Sequence, residues 1–135
     1  VENPVSFVLE KHLEDFLVSN WKNTSLGQQY DIYTVDGEIV GQQYLSDTGP
    51  MDILAVSKDG SELVVIELKR GRVSDVVVGQ ILRYMGFVKE LDPTKRVRGI
   101  IIGSDDDIRL RRALAMTTGI EYYQYEVNFK LHRSI

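Results

Sequence analysis

The stretch Gly49-Pro50-Met51-Asp52-Ile53-Leu54-Ala55-Val56, followed after a break by Leu63-Val64-Val65-Ile66-Glu67-Leu68-Lys69-Arg70, decides how this chain folds. Between the two apolar runs lies Lys58-Asp59-Gly60-Ser61, and Asp-Gly between such runs signals a tight hairpin. A loop symmetric about Asp59 and Gly60 sets Ser57 opposite Glu62 and Leu54 opposite Val65. The same register sets Asp52 directly opposite Glu67, and Lys69 shares the face of Glu67 because side chains alternate along a strand. A loop one residue shorter or longer would send Asp52 to the other face.

Directly opposed side chains have Cβ atoms roughly 4.5–5.5 Å apart, and like charges there destabilise a sheet. Two acids meeting at the end of an apolar hairpin therefore need neutralising, by a shared proton, by Lys69 or by a divalent cation. Hard cations such as Mg²⁺ favour one or two carboxylates completed by water and substrate phosphate. The pattern predicts a metal site beside an ammonium, suited to phosphodiester chemistry. Glu-x-Lys on a strand is ordinarily a solvated face. Here Leu63 to Ile66 is apolar at every position, the mark of a strand covered on both faces, and the charges gather at one end of it.

The 135 residues, 43% hydrophobic and 27% charged, suit one soluble domain spanning 1–135. The absence of cysteine excludes a disulfide framework, a thiolate zinc site and a cysteine nucleophile. His12 and His132 are too few for a histidine metal site and argue against a Ser-His-Asp triad. No apolar run reaches transmembrane length and no signal peptide is evident, so a cytoplasmic location without a membrane partner is expected. The chain starts with Val rather than Met, as a piece of a longer protein would. A net charge of −4 is unlike a pure nucleic-acid binder, although a nuclease whose acids are covered by cations partly escapes that objection. Lys69, Arg70, Arg72 and Arg83, and later Lys95, Arg96, Arg98, Arg109, Arg111 and Arg112, serve equally as phosphate contacts or as solubilising charges.

Around the central hairpin, Ser6 to Trp21 has the apolar stripe of a helix, carried by Leu9, Leu13, Phe16 and Leu17. Gly27-Gln28-Gln29-Tyr30 recurs as Gly41-Gln42-Gln43-Tyr44, with an Asp36-Gly37 turn between, which predicts a hairpin of 28–34 with 38–45. Ser74 and Asp75 open a helix that Leu91-Asp92-Pro93 ends. Val97 to Ile102 is a buried strand. Ser104 and Asp107 are spaced as a capping box for a short helix closed by Thr118-Gly119. Ile120 to Leu131, with Tyr122, Tyr123, Tyr125 and Phe129, reads as one or two strands. These elements make an α/β domain, one mixed sheet flanked by helices.

With these residues in hand, the chain resembles the PD-(D/E)xK nuclease superfamily and its restriction-endonuclease-like fold. Pro50-Met51-Asp52 stands for the PD element with one residue inserted, and Glu67-Leu68-Lys69 matches ExK in full. Gln80 and Tyr84 match a Gln-x-x-x-Tyr element of several branches. The nuclease domain of NucS-type endonucleases is similar over nearly the whole chain, including a helical glutamate at Glu10 followed by Leu13, Phe16 and Leu17.

The resemblance implies a metal-dependent DNA endonuclease. Asp52 and Glu67 would hold Mg²⁺ or Mn²⁺, with the Leu68 carbonyl and Glu10 as further ligands, and Glu14 as the alternative helical acid. Lys69 would orient or deprotonate the attacking water and stabilise the developing charge, and Gln80 would hold a phosphate, that water or Lys69. Tyr84 would stack on a base or bond a phosphate, and Arg70, Arg72 and Arg83 would contact phosphates. DNA is the expected partner, with RNA left open, and a concerted double-strand cut would need a homodimer. NucS-type enzymes carry a separate domain ahead of the nuclease domain that helps bind DNA and dimerise. This chain leaves no room for it, so the family's mismatched or branched substrates are not carried over. The competing class is a non-catalytic nucleic-acid-binding module, against which the intact Asp52, Glu67 and Lys69 argue.

Overall fold

The computed structural model describes residues 4–69, 75–126 and 130–135. Helix α1 (Pro4–Ser19) leads through a 3₁₀ turn (Trp21–Asn23) to the short helix α2 (Ser25–Gln29). Strands β1 (Tyr30–Ile32), β2 (Thr34–Val35), β3 (Glu38–Ile39), β4 (Gln42–Ser46), β5 (Gly49–Ser57) and β6 (Glu62–Lys69) follow. Helix α3 (Val76–Leu91), β7 (Arg96–Gly103), α4 (Ile108–Ala115) and β8 (Ile120–Gln124) complete the chain of elements.

The main sheet runs β1-β5-β6-β7-β8, with β4 also paired to β5. β5 and β6 are antiparallel, whereas β6, β7 and β8 are parallel, so the sheet is mixed as expected. Parallel neighbours need a crossover, and α3 and α4 supply the two. β6 sends Leu63 and Val65 to a core shared with Val77, Ile81, Val88 and Leu110 of the crossover helices. It sends Val64, Ile66 and Leu68 to a second core with Trp21, Leu26 and the α1 residues Leu13 and Leu17. A layer on each face is why this strand is apolar at consecutive positions.

Register in the central hairpin follows its turn. Val56 pairs with Leu63 and Ile53 with Ile66, the arithmetic expected of a loop symmetric about Asp59 and Gly60. Gly60 takes φ +75°. The Asp59 carboxylate accepts the Ser61 N–H at 3.0 Å and the hydroxyls of Ser61 and Ser57 at 2.7 Å each. The two bonds from Ser61, then that from Ser57, hold its carboxyl down at about 2.

Several local expectations give way. Gln28 and Gln29 close α2 rather than open a strand. Thr24 caps that helix by accepting the Gly27 N–H at 3.1 Å, and the Trp21 indole N–H pins the Tyr30 carbonyl at 2.9 Å. The expected hairpin of 28–34 with 38–45 shrinks to β2 and β3, joined by Asp36 and Gly37 at φ 51° and 81°. Its flanks, β1 and β4, pair with β5 instead. The excursion closes where the Leu54 carbonyl accepts from Tyr33 and the Leu54 N–H donates to Gly41. A Cβ on Gly41 would stand 2.3 Å from the Leu54 carbonyl oxygen, so only glycine fits there.

Asp107, not Ser104, is the N-cap of α4, accepting the N–H groups of Arg109 and Leu110. Asp75 occupies the N-cap position of α3 without a side-chain capping bond. Ser74 and Phe129 lie outside the described residues, and a single strand, β8, is described within Ile120 to Leu131. Among the described residues no helix is long and apolar enough to cross a membrane.

Candidate active site

The β5–β6 pairing runs to Ile53 and Ile66, and the next two positions carry the acids. There the Asp52 carboxylate accepts the backbone N–H of Leu68 at 2.8 Å, a side-chain acceptor serving where the ladder has ended. Glu67 is 2% exposed, and its Oε1 is buried with no hydrogen-bond partner among the described residues. Burial, then the hydrogen bond with Asp52 and the charge of Asp52, push the Glu67 carboxyl up to about 10; the nearby Lys69 ammonium opposes this. The acids therefore meet as the turn arithmetic requires. Burial beside Asp52 thus favours the neutral form of the Glu67 carboxyl.

A cleft of about 310 Å³ opens over this pair. Asp52, Glu67, Lys69, Gln80, Glu10 and Glu14 line it, with Lys11, Gln43 and Pro50. Three layers supply these groups: α1 gives the helical acids, β5 and β6 the central trio, and α3 the glutamine. Each arrives for a local reason. Lys69 ends a buried strand and is half-buried. Gln80 sits one helical turn before Tyr84 and donates to its hydroxyl at 3.3 Å.

Both helical acids line the cleft, but Glu14 is the buried one, at 2% exposure. It accepts from Lys11 at 2.9 Å, Gln42 at 2.7 Å and Gln43 at 2.5 Å. The Lys11 ammonium rises above its usual range chiefly through its bond to Glu14. Gln43, which the sequence shows only as part of a repeated Gly-Gln-Gln-Tyr strand, also lines the cleft. Its amide reaches both Glu14 and, at 3.3 Å, Asp52, and its backbone has φ +53°. No sequence signal marks that backbone excursion.

Other candidates lie elsewhere. Tyr84 is 5% exposed in the core beneath α3, so its ring packs rather than offering a stacking face, and its hydroxyl meets Gln80. Arg83 is exposed on α3 and does not line the cleft. Arg70 and Arg72 lie outside the described residues. The Leu68 side chain is buried against the α1 layer. Arg96 and Arg98 pair with Glu62 at 3.4 and 3.6 Å, at the opposite end of β6 from Lys69.

Among the described residues no group of three or more His, Asp or Glu side chains forms a ready-made metal cage. Mg²⁺ and Mn²⁺ sites of the phosphodiester type do not need one, since one or two carboxylates suffice beside water and phosphate. Asp52 and Glu67 fit that donor set, and the unpartnered Glu67 Oε1 is the atom such a cation would satisfy.

The mixed sheet flanked by helices is a fold shared with two solved structures. The EndoMS-dsDNA2 complex superimposes with a TM-score of 0.69 at 22% identity, over 90% of this chain and 46% of that one. A repair endonuclease from Pyrococcus abyssi superimposes with a TM-score of 0.65 at 22% identity, over 93% of this chain and 48% of that one. At such identity the likeness is one of fold. The family model of the endonuclease NucS C-terminal domain matches residues 10–134, and the chain belongs to that family. Endonuclease NucS of Methanocaldococcus jannaschii is 31% identical over 94 residues, which are 70% of this chain and 32% of that relative. The chain thus spans about a third of this curated relative's length.

Proposed function

We propose that this chain is the catalytic domain of a DNA endonuclease that hydrolyses phosphodiester bonds with Mg²⁺ or Mn²⁺. One observation carries this: Asp52, Glu67 and Lys69 converge in a single cleft, with a buried Glu67 oxygen that has no hydrogen-bond partner among the described residues. An anionic pair facing a phosphate has no use in a simple binding module, and family membership with endonucleases supports hydrolysis. That one structural neighbour is a complex with double-stranded DNA supports DNA as the substrate.

Asp52 and Glu67 would hold the cation, with the Leu68 carbonyl as a further ligand and the helical acids Glu10 and Glu14, which line the same cleft, completing its surroundings. When bound, the cation supplies charge neutralisation at the phosphate and a lowered pKa for water. As an ammonium beside the acids, Lys69 would orient the attacking water and stabilise negative charge as it develops; only as a neutral amine would it take that water's proton. Gln80, held by the Tyr84 hydroxyl, presents an amide to the water, the phosphate or Lys69. Exposed Arg83 suits a phosphate further along the strand.

The test is incubation with single-stranded, duplex, mismatched and branched DNA, and with RNA, with and without Mn²⁺. Cleavage should need the metal, stop in chelator, and vanish in Glu67→Ala. Lys69→Ala should lose most activity. Wild-type cleavage by Glu67→Ala would overturn the assignment.

A further inference from the structure

We infer that Gln43 is a positioning residue: its amide fixes the Asp52 carboxylate in the orientation that receives the cation. The inference rests on the metal-site function proposed above and deepens it. Gln42 pairs with Ile53 and Tyr44 with Met51, which sets Gln43 opposite Asp52 across β4 and β5. Its Nε2 lies 2.5 Å from Glu14 Oε1 and 3.3 Å from Asp52 Oδ1. A primary amide carries two N–H donors and no charge, so each acid can take one. The other Asp52 oxygen accepts the Leu68 N–H at 2.8 Å. Both oxygens are thus tethered before any ligand arrives, and the carboxylate cannot swing about its χ2 axis without breaking a bond.

The far end of this brace is firm. Glu14 is 2% exposed and also accepts from Lys11 and Gln42. Gln43 therefore connects the helix on one face of the sheet to the acid at the sheet's end. Its backbone shows that the placement is imposed. At φ +53° it occupies a region that L residues other than Asn and Asp seldom visit and that glycine enters freely. Strain of this kind persists where the surroundings over-determine it, and here they are two carboxylates bound by one side chain.

The backbone strain also supplies the test. Gln43→Gly keeps, and relaxes, the local conformation while deleting the amide. Gln43→Asn keeps tolerance of positive φ but has too short a stem to span both acids. Mn²⁺ binding by calorimetry, thermal melting and the Mn²⁺ dependence of DNA cleavage are measured for each, with Glu67→Ala as control. Gln43→Gly should melt at or above the wild-type temperature and bind Mn²⁺ roughly ten- to a hundred-fold more weakly. Its kcat should return toward wild type at saturating Mn²⁺. A purely structural residue would shift melting and leave Mn²⁺ affinity alone.

Equal Mn²⁺ affinity in wild type and Gln43→Gly overturns the inference, as does a kcat defect that excess Mn²⁺ does not restore. Should Gln43→Gly lose stability, Gln43→Asn decides by the same comparison of affinities. Mn²⁺ uptake by wild type but not by Glu67→Ala upholds the metal site whatever Gln43 does. No uptake by either sinks the metal site and, with it, this inference.

Discussion

The Asp52 carboxylate and the Leu68 N–H are joined at 2.8 Å, so a catalytic candidate also closes the seam between β5 and β6. Backbone pairing ends at Ile53 and Ile66, and this bond carries the association one step further, to where the acids meet. Asp52 thus has a structural duty and a chemical one, and substitutions can separate them.

Asp52→Asn retains an oxygen that accepts the Leu68 N–H, whereas Asp52→Ala strands that donor. The alanine variant should lose roughly 1–3 kcal/mol of stability, the range for an unsatisfied buried group. The asparagine variant keeps the Leu68 bond but turns its amide nitrogen toward the Gln43 donor, so it should cost less than alanine, about 0.5–1.5 kcal/mol for the one bond lost. Both should lose Mn²⁺-dependent cleavage. Urea denaturation beside a nuclease assay checks this, and cleavage by Asp52→Asn at the wild-type rate would remove the carboxylate from the chemistry.

Glu67 makes stability depend on pH in an unusual direction. Its carboxyl moves from 4.5 to about 10 on folding, through burial first and Asp52 second. Between those values the native state holds a proton that the unfolded state has released. Stability from this group is therefore full below about pH 4.5 and is lost as pH rises toward about 10. In chelator, the wild-type melting temperature should fall between about pH 5 and about pH 9 more steeply than that of Glu67→Gln, which cannot ionise. Added Mn²⁺ should stabilise the wild type most at the alkaline end, because the cation competes with that proton. Parallel melting curves for the two proteins would contradict the buried, coupled acid.

What was legible in the sequence was whatever a short stretch determines by itself. Asp59-Gly60 sets its own turn, that turn sets the register, and the register brings Asp52 to Glu67. The consecutive apolar residues of β6 announced two covered faces, and helical spacing put Gln80 beside Tyr84, although resemblance singled the pair out and Gln80 alone of the two lines the cleft. What failed depended on distant partners. Gly27-Gln28-Gln29-Tyr30 and Gly41-Gln42-Gln43-Tyr44 are the same tetrapeptide, yet Thr24 caps the first pair of glutamines into a helix while β5 recruits the second. Glu10 and Glu14 share a helix face, and only the glutamines arriving from β4 distinguish the buried acid.

Two glycines should respond oppositely to alanine. Gly41→Ala drives a Cβ to 2.3 Å from the Leu54 carbonyl oxygen and 2.8 Å from the Tyr33 nitrogen, both backbone atoms. Forced overpacking of this kind costs about 1–3 kcal/mol, and the displacement lies next to the Gln42-Gln43 segment. Gly86 sits within α3 with nothing inside 4 Å of a built Cβ. Gly86→Ala should gain roughly 0.5–1 kcal/mol from helix propensity alone. Denaturant midpoints test both, and a neutral Gly41→Ala would show that β1 and β4 can part without loss.

Tyr84 separates packing from chemistry most directly. Its ring is buried with Met51, Val77, Ile81 and Val88, so Tyr84→Ala should cost about 3–5 kcal/mol, as loss of a buried aromatic does. Tyr84→Phe keeps the ring and removes only the hydroxyl that accepts from Gln80, a change of about 0.5–1.5 kcal/mol at most. If the hydroxyl aims Gln80 into the cleft, Tyr84→Phe should slow cleavage severalfold at little expense in melting temperature. Gln80→Ala should slow it at least as much. The double variant should then be no slower than Gln80→Ala, because two residues acting through one hydrogen bond are not additive. A Tyr84→Phe enzyme with the wild-type rate would assign the tyrosine to the core alone, and additive losses would mean that each residue acts separately.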